Sequence, residues 1–286
     1  MRKIFPLLCA LVVMGVIGWY RKGAMNHPEP RMVTVKAGAL PRGSELAKEV
    51  VGDFEIGNFE VTWSEWKVVR SWAVTKGYDL AGVGDTYPKR GGDQLPVVDV
   101  SWYDVVKWCN ARSEMEGKTP VYEAKGTVYR SGEFGEGGSD EVTMKSGVHG
   151  YRLPLDAEWE WAARGGVCSR GYEYSGSDVV GEVARINKIF SRRASVVGSK
   201  KANELGLYDM SGNVREWVWE SRGVSFRRSV WDRVFGSRVV DTFRRLRGGS
   251  WHDDEYFAKV SDRTAIFPPY NRMPFVGFRV AFGSAP

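Results

Sequence analysis

The chain has 286 residues, of which 43% are hydrophobic, 13% aromatic and 27% charged; that is enough length and apolar content for a domain with its own core, and it excludes a disordered, collagen-like or coiled-coil chain. Thirty-four Gly, 12 Pro and 12 Trp predict many turns held together by aromatic packing. Lys and Arg number 41 against 35 Asp and Glu, but without Arg2, Lys3, Arg21 and Lys22 the balance is 37 to 35, so the body lacks the cationic surplus on which a nucleic-acid binder depends.

In chain order, residues 4–20 are an uncharged, mostly apolar run between Arg2-Lys3 and Arg21-Lys22. Residues 1–22 therefore read as an export signal or an uncleaved membrane anchor, and the membrane is expected to be met through this segment only. Cys9 invites lipidation, but few apolar residues precede it and Leu8 stands where a small residue is wanted. Residues 23–35 contain prolines and read as a tether that stands an exported body, residues 36–283, off the membrane. Alternating apolar residues over 33–35 and 54–61 predict short strands. The first strong helix is predicted over 101–116, where Ser101 can cap, Asp104 follows three residues on, and Trp102, Val105, Val106 and Cys109 form an apolar face. A second helix is predicted over 156–164, with Trp159 and Ala163 on one face and Gly165-Gly166 as its stop. The Gly, Ser and Thr of 125–149 suggest hairpins and loops, and from 188 onward short apolar runs broken by glycines predict strands rather than helices. Early strands, two helices and a loop-rich β region make one α+β domain.

Cys109 and Cys168 have no CxxC spacing and are expected as small core residues rather than a disulfide. Arg227, Arg228, Arg233, Arg238, Arg244, Arg245 and Arg247 crowd one stretch, which reads as a solvated loop with stems lying on apolar surface, the alternative being a polyanion site.

Five blocks in order then carry a resemblance: FEVT at 59–62, PVVDVSWYD at 96–104, GYRLPLDAEWEWAAR at 150–164, GLYDMSGNVREW at 206–217, and RGGSW at 247–251 with GFRVA at 277–281. Together they resemble the formylglycine-generating enzyme/sulfatase-modifying family, which implies a loop-rich, single-domain C-type-lectin-like fold. The family's enzymes are copper-dependent oxidases that use two cysteines soon after the RGGS motif, a soft thiolate pair suited to Cu(I). The matching positions look like Asp253 and Ala258, and no cysteine follows Cys168, so neither copper nor oxidase chemistry is expected. The iron-dependent sulfoxide synthases are disfavoured because His27, His149 and His252 are isolated.

Residues 252–276 lie between two family-like framework pieces yet mix acids, aromatics and prolines without periodicity, the pattern of a displayed binding surface. This resembles the variable proteins of diversity-generating retroelements, whose lectin-like scaffold carries a C-terminal variable region altered at template adenines. Only Glu255, Lys259 and Met273 fall outside the residue types that such mutagenesis yields. The resemblance implies variable, solvent-facing positions at His252, Asp253, Asp254, Tyr256, Phe257, Asp262, Thr264, Ala265, Ile266, Phe267, Tyr270, Pro274 and Phe275, with the aromatics as anchors and the polar groups as adaptable contacts; the alternative for Phe257, Ile266, Phe267 and Phe275 is core packing. A surface-displayed monomer binding a protein or glycan follows. The alternatives are an enzyme with altered chemistry using Asp253, Asp254 and Glu255, or a module that contacts an envelope protein through a fixed surface.

The resemblance also implies a structural calcium held by the side chains of Asp209 and Glu216 and the carbonyls of Gly212 and Val214. Arg215, where the family carries Trp, could instead pair with either acid. Leu155 stands where a Ser or Thr cap is usual, at a cost of about 1 kcal/mol.

Overall fold

The computed structural model describes residues 30–84, 92–132, 142–187, 193–226 and 239–284. The apolar segment 1–22, most of the tether, and Arg227, Arg228, Arg233 and Arg238 lie outside the described residues. Among the described residues no helix is long and apolar enough to cross a membrane.

The chain opens with β1 (Met32–Val35), β2 (Gly38–Ala39), β3 (Val50–Val51) and β4 (Phe54–Gly57). β1 runs antiparallel to β4 and Val35 is fully buried, so the segment read as tether supplies a strand of the body from Met32 onward. A helix that the sequence reading missed follows, α1 (Trp63–Thr75). Its start is a capping box: the Thr62 hydroxyl accepts from the Glu65 backbone N–H, and the Glu65 carboxylate accepts from that of Thr62. The expected helix, α2 (Trp102–Met115), begins with the same device in Ser101 and Asp104. The two helices meet at Trp66 and Trp108, stacked with centroids 5.9 Å apart, and Phe278 sets its edge against both. That cluster is the centre of the larger core, and buried indoles dominate it because each removes a large apolar area from water while its N–H finds an acceptor.

Next come β5 (Tyr122–Ala124), β6 (Thr127–Val128) and β7 (Val142–Met144), which form a small sheet in the order β6-β5-β7, then β8 (His149–Arg152), α3 (Asp156–Ala163) and the single turn α4 (Val180–Val183). The chain closes with β9 (Arg215–Phe226), β10 (Val239–Arg247), β11 (Ile266–Phe267), β12 (Val276–Gly277) and β13 (Ala281–Ser284). β11-β10-β9-β12 is one sheet, with β12 parallel to β9; β1-β4-β13-β8 is the other, with β13 inserted antiparallel between β4 and β8.

α3 starts at Asp156 without a side-chain cap from Leu155. Two carboxylates replace the missing hydroxyl: Glu158 accepts from the Leu155 N–H and Glu220, from β9, accepts from the Asp156 N–H at 2.6 Å. The acids of α3 also gather arginines. Arg247, fully buried, reaches Asp156 at 2.9 Å and Glu160 at 2.6 Å; Arg245 and Arg263 both reach Asp156; Arg152 grips Glu158 through two bonds. Arg244 lies 3.7 Å over the Trp102 ring and donates to the Trp219 carbonyl. The arginines of β10 within the described residues are therefore fixed ties between sheet and helices, not solvated loop residues. The reading of both cysteines as core also divides. Cys109 is buried, and burial pushes its thiol well up, whereas Cys168 ends a 3-10 turn at the surface and is exposed.

The deepest tie joins β9 to the closing strand. Glu216 and Arg279 are both 0% exposed. Arg279 donates through Nε and Nη2 to the Glu216 carboxylate at 2.7–2.9 Å, and to the carbonyls of Gly57 and Tyr208. The Trp159 indole N–H takes the Glu216 Oε2 from the other side at 2.7 Å. Close by, buried Glu60 accepts from the Val214 N–H and from Asn213 Nδ2; burial, then the charges of Asp209 and Glu216, hold its carboxyl well above the usual range.

Breaking a buried pair by removing one member leaves the other charge unpaired. Arg279→Met is expected to lower unfolding free energy by about 3–5 kcal/mol in urea denaturation. Glu220 supplies a pH test. Burial first, then the neighbouring Asp156 carboxylate, raise its pKa from 4.5 to about 7, so the folded state holds a proton that the unfolded state has already lost. Stability attributable to this group is present at low pH and falls as pH rises from about 4.5 through 7. In melting curves across that window, Glu220→Gln is expected to flatten the decline while keeping the acceptor for the Asp156 N–H.

Candidate ligand-binding surface

The RGGS motif turns the end of β10 sharply. Gly248 and Gly249 take φ of +87° and +69°, and a Cβ on Gly249 would stand 2.7 Å from the Phe257 carbonyl, so only glycine lets the following 3-10 turn, Glu255–Ala258, lie against it. The loops beyond are rooted at several points. Asp262 and Arg263 are drawn to the α3 network, the Trp102 N–H binds the Pro269 carbonyl, Arg272 pairs with buried Asp104 at 2.9 Å, and the Asp99 N–H binds the Met273 carbonyl.

On this base the predicted positions divide. His252 is exposed and stacks on Phe275, centroids 5.2 Å apart, so the two ends of the segment touch. Tyr256 is 54% exposed, with Phe257 edge-on at 5.5 Å and the Lys259 ammonium 5.2 Å over its ring. Asp254 and Pro274 are exposed beside them. Phe257 is half-buried beneath the Arg215 guanidinium, 5.0 Å away. These residues make one patch. Ala265, Phe267 and Tyr270 are half-buried and pack down on the main core, and Ile266 and Phe267 pair with Arg245 and Arg244 as β11; they support the patch more than they form it. Phe275 does both, packing on the core and carrying His252.

Thr264 is exposed but turned to its own loop, its hydroxyl donating to Asp262 Oδ1 at 2.9 Å. Asp262, expected to face solvent, is only 7% exposed: its carboxylate closes the turn and its carbonyl accepts from Arg247. Asp253 is half-buried and bound twice, by Arg215 Nη2 at 2.8 Å and by the Ser250 hydroxyl at 2.5 Å. Arg215 thus chooses neither Asp209 nor Glu216. The sequence reading missed Arg215 and Trp251 as members of the region; the one signal for Arg215 was its departure from the family's Trp.

The residues expected to hold calcium do not fit that ion. Every oxygen of Glu216 is already engaged by the Arg279 guanidinium or the Trp159 N–H, so a protein cation stands where the metal would. Asp209 Oδ2 accepts from the Gly198 N–H at 2.6 Å. Among the described residues no three His, Cys, Asp or Glu are arranged to hold a metal ion. The carbonyls of Gly212 and Val214 alone lack the charge a hard divalent cation needs.

The fold and its surface define a lectin-like frame carrying a loop-borne aromatic patch. The chain belongs to the family of the Sulfatase-modifying factor enzyme 1-like domain, which it matches over residues 21–283. It is 34% identical over 283 residues to the chaperone protein LppX of Paenibacillus barcinonensis, covering 91% of this chain and 92% of that one. Among solved structures, CarF is similar at 28% identity and a TM-score of 0.74, covering 90% of this chain and 99% of CarF. Treponema denticola variable protein 1 shares the fold at 24% identity and a TM-score of 0.67, covering 88% of this chain and 94% of that one.

Addition of millimolar calcium, or of a chelator, is expected to leave the melting temperature unchanged, because the Arg279 guanidinium already occupies Glu216 and Asp209 accepts from a backbone N–H; a calcium-dependent rise of several degrees would overturn the fit of these residues.

Proposed function

We propose that this chain is a ligand-binding protein displayed outside the cytoplasm, with its binding surface on the loops of 252–275 and a body that does no oxidase chemistry. One observation carries the reading: the loops are locked from below by Arg247, Arg263 and Arg272 on buried acids, while His252, Asp254, Tyr256, Phe257 and Pro274 lie above those ties. Side chains of that upper set can change without disturbing a tie, which is what a diversified surface requires. Aromatic rings there offer contact area at little entropic cost. Against catalysis, Asp253 and Ala258 stand at the positions that resemble the family's cysteines; Asp253 is committed to Arg215 and Ser250, and Ala258 is fully buried. Display rests on the apolar run of 4–20 between basic pairs. The ligand is a protein or a glycan.

A second reading is supported by the Paenibacillus relative, whose name is that of a chaperone: the same patch would then be a fixed surface for one protein client. The gene sequenced from related isolates separates the two. Diversification predicts substitutions at adenine positions, confined to the upper set, beside a near-copy of the segment and a reverse transcriptase; a client surface predicts an unvarying patch. In either case a His252→Ala/Tyr256→Ala/Phe257→Ala variant is expected to melt within a few degrees of the parent and to lose about tenfold or more in affinity for its partner. Unfolding of that variant would place these rings in the core.

A further inference from the structure

Among the described residues, buried indoles are satisfied almost without exception. Trp66, Trp102, Trp108, Trp159, Trp161 and Trp217 each donate their N–H to an acceptor within the fold. Trp251 does not: its Nε1 is buried and has no acceptor. Two further buried donors without one, Arg215 Nη1 and Arg185 Nε, belong to the same neighbourhood. Asn213 is the hub, since its backbone N–H binds the Arg185 carbonyl and its carbonyl accepts from the Trp251 backbone N–H, both at 2.8 Å. Arg215 lies two residues further on, only 5% exposed. The approach is forced by backbone: Gly212 has φ of +82°, and a Cβ there would stand 2.5 Å from the Arg185 carbonyl oxygen. The Asn187 N–H ties the same segment to the Asp253 carbonyl.

A buried donor without an acceptor is unfavourable, and three on residues that the Asn213 backbone ties together point to a place where a ligand can supply the missing oxygens. The region also borders the aromatic patch, because the Trp251 ring is edge-on to His252 and the Arg215 guanidinium lies over Phe257. Arg215 is already matched by Asp253, so of the two guanidinium groups only that of Arg185 brings a charge not taken up by an ion pair among the described residues. A singly charged group with two acceptor oxygens suits that balance better than a doubly charged one. We propose that Arg185, Arg215 and Trp251 form the carboxylate-recognition subsite of the binding surface, so that the ligand carries an acidic side chain or an acidic sugar. This rests on the binding reading of the 252–275 loops and specifies its chemistry.

The test reads the Trp251 indole directly. In the 15N-labelled full chain, the indole signal missing from Trp251→Phe is that of Trp251. An acetylated, amidated Gly-Asp-Gly peptide is added, then its Asn counterpart, then glucuronate and its methyl ester. The Trp251 signal is expected to move saturably with the Asp peptide or glucuronate, at least about tenfold more tightly than with the matching neutral probe, and the tighter of the two identifies the source of the carboxylate. Arg215→Lys is expected to weaken that binding severalfold, and Trp251→Phe to do the same when the titration is followed at the backbone amides of Asn213 and Arg215. Trp251→Phe, which removes the unpaired donor together with the five-membered ring of the indole, is expected to melt within a few degrees of the parent. No movement with either carboxylate, or equal movement with the neutral probes, would overturn the subsite. Partner binding that is lost in the His252/Tyr256/Phe257 variant yet indifferent to Arg215→Lys would overturn it while leaving the binding surface itself intact.

Discussion

The fold depends on one buried ion pair. Glu216 sits at the start of β9 and Arg279 just before β13, 63 residues later, and neither has contact with water. The guanidinium also holds the carbonyls of Gly57 and Tyr208, so a single side chain gathers the end of β4, the Tyr208 loop, β9 and the approach to the closing strand. Such a pair is a poor source of net stability, because desolvating both charges offsets most of their attraction. What it supplies is geometry. With Glu216 bonded on both oxygens and Arg279 on all three nitrogens, only one arrangement of the two sheets satisfies every buried polar atom there.

The same logic explains why the conspicuous sequence blocks are spread along the chain. Glu60 of FEVT meets Asn213 and Val214 of the GLYDMSGNVREW block. Arg247 of RGGSW meets Asp156 and Glu160 of the α3 block. Arg279 of GFRVA meets Glu216. Each motif is one half of a buried polar contact whose other half lies in another motif, so the blocks identify the frame together and none specifies it alone.

What was legible in the sequence follows from how local each signal is. The Ser101 and Asp104 cap lies within four residues and marked α2 at once. Thr62 and Glu65 are an equal signal for α1, hidden because the apolar alternation before it led the eye on as a strand. The start of α3 was legible but its cap was not, since Glu220 arrives from 64 residues away. The aromatic content of 252–275 was readable as composition, whereas the division of the segment into upper and supporting side chains depended on which residues β10 and α2 would anchor. Two departures from the family pattern, Arg215 and Asp253, were each noticed singly. That they answer one another across 38 residues, as a 2.8 Å pair, is a fact of the fold alone.

The place of β13 has a consequence for how the protein is made. It is the last described strand, yet it lies inside its sheet, between β4 and β8, rather than at an edge. Until those residues have left the ribosome, β4 and β8 have no strand to join them and Glu216 has no cation. Synthesis therefore cannot complete this body piece by piece from the N-terminus; closure waits until β13 has been made. A premature stop anywhere in the loops, or even shortly after them, leaves that sheet unjoined and the chain open to proteolysis.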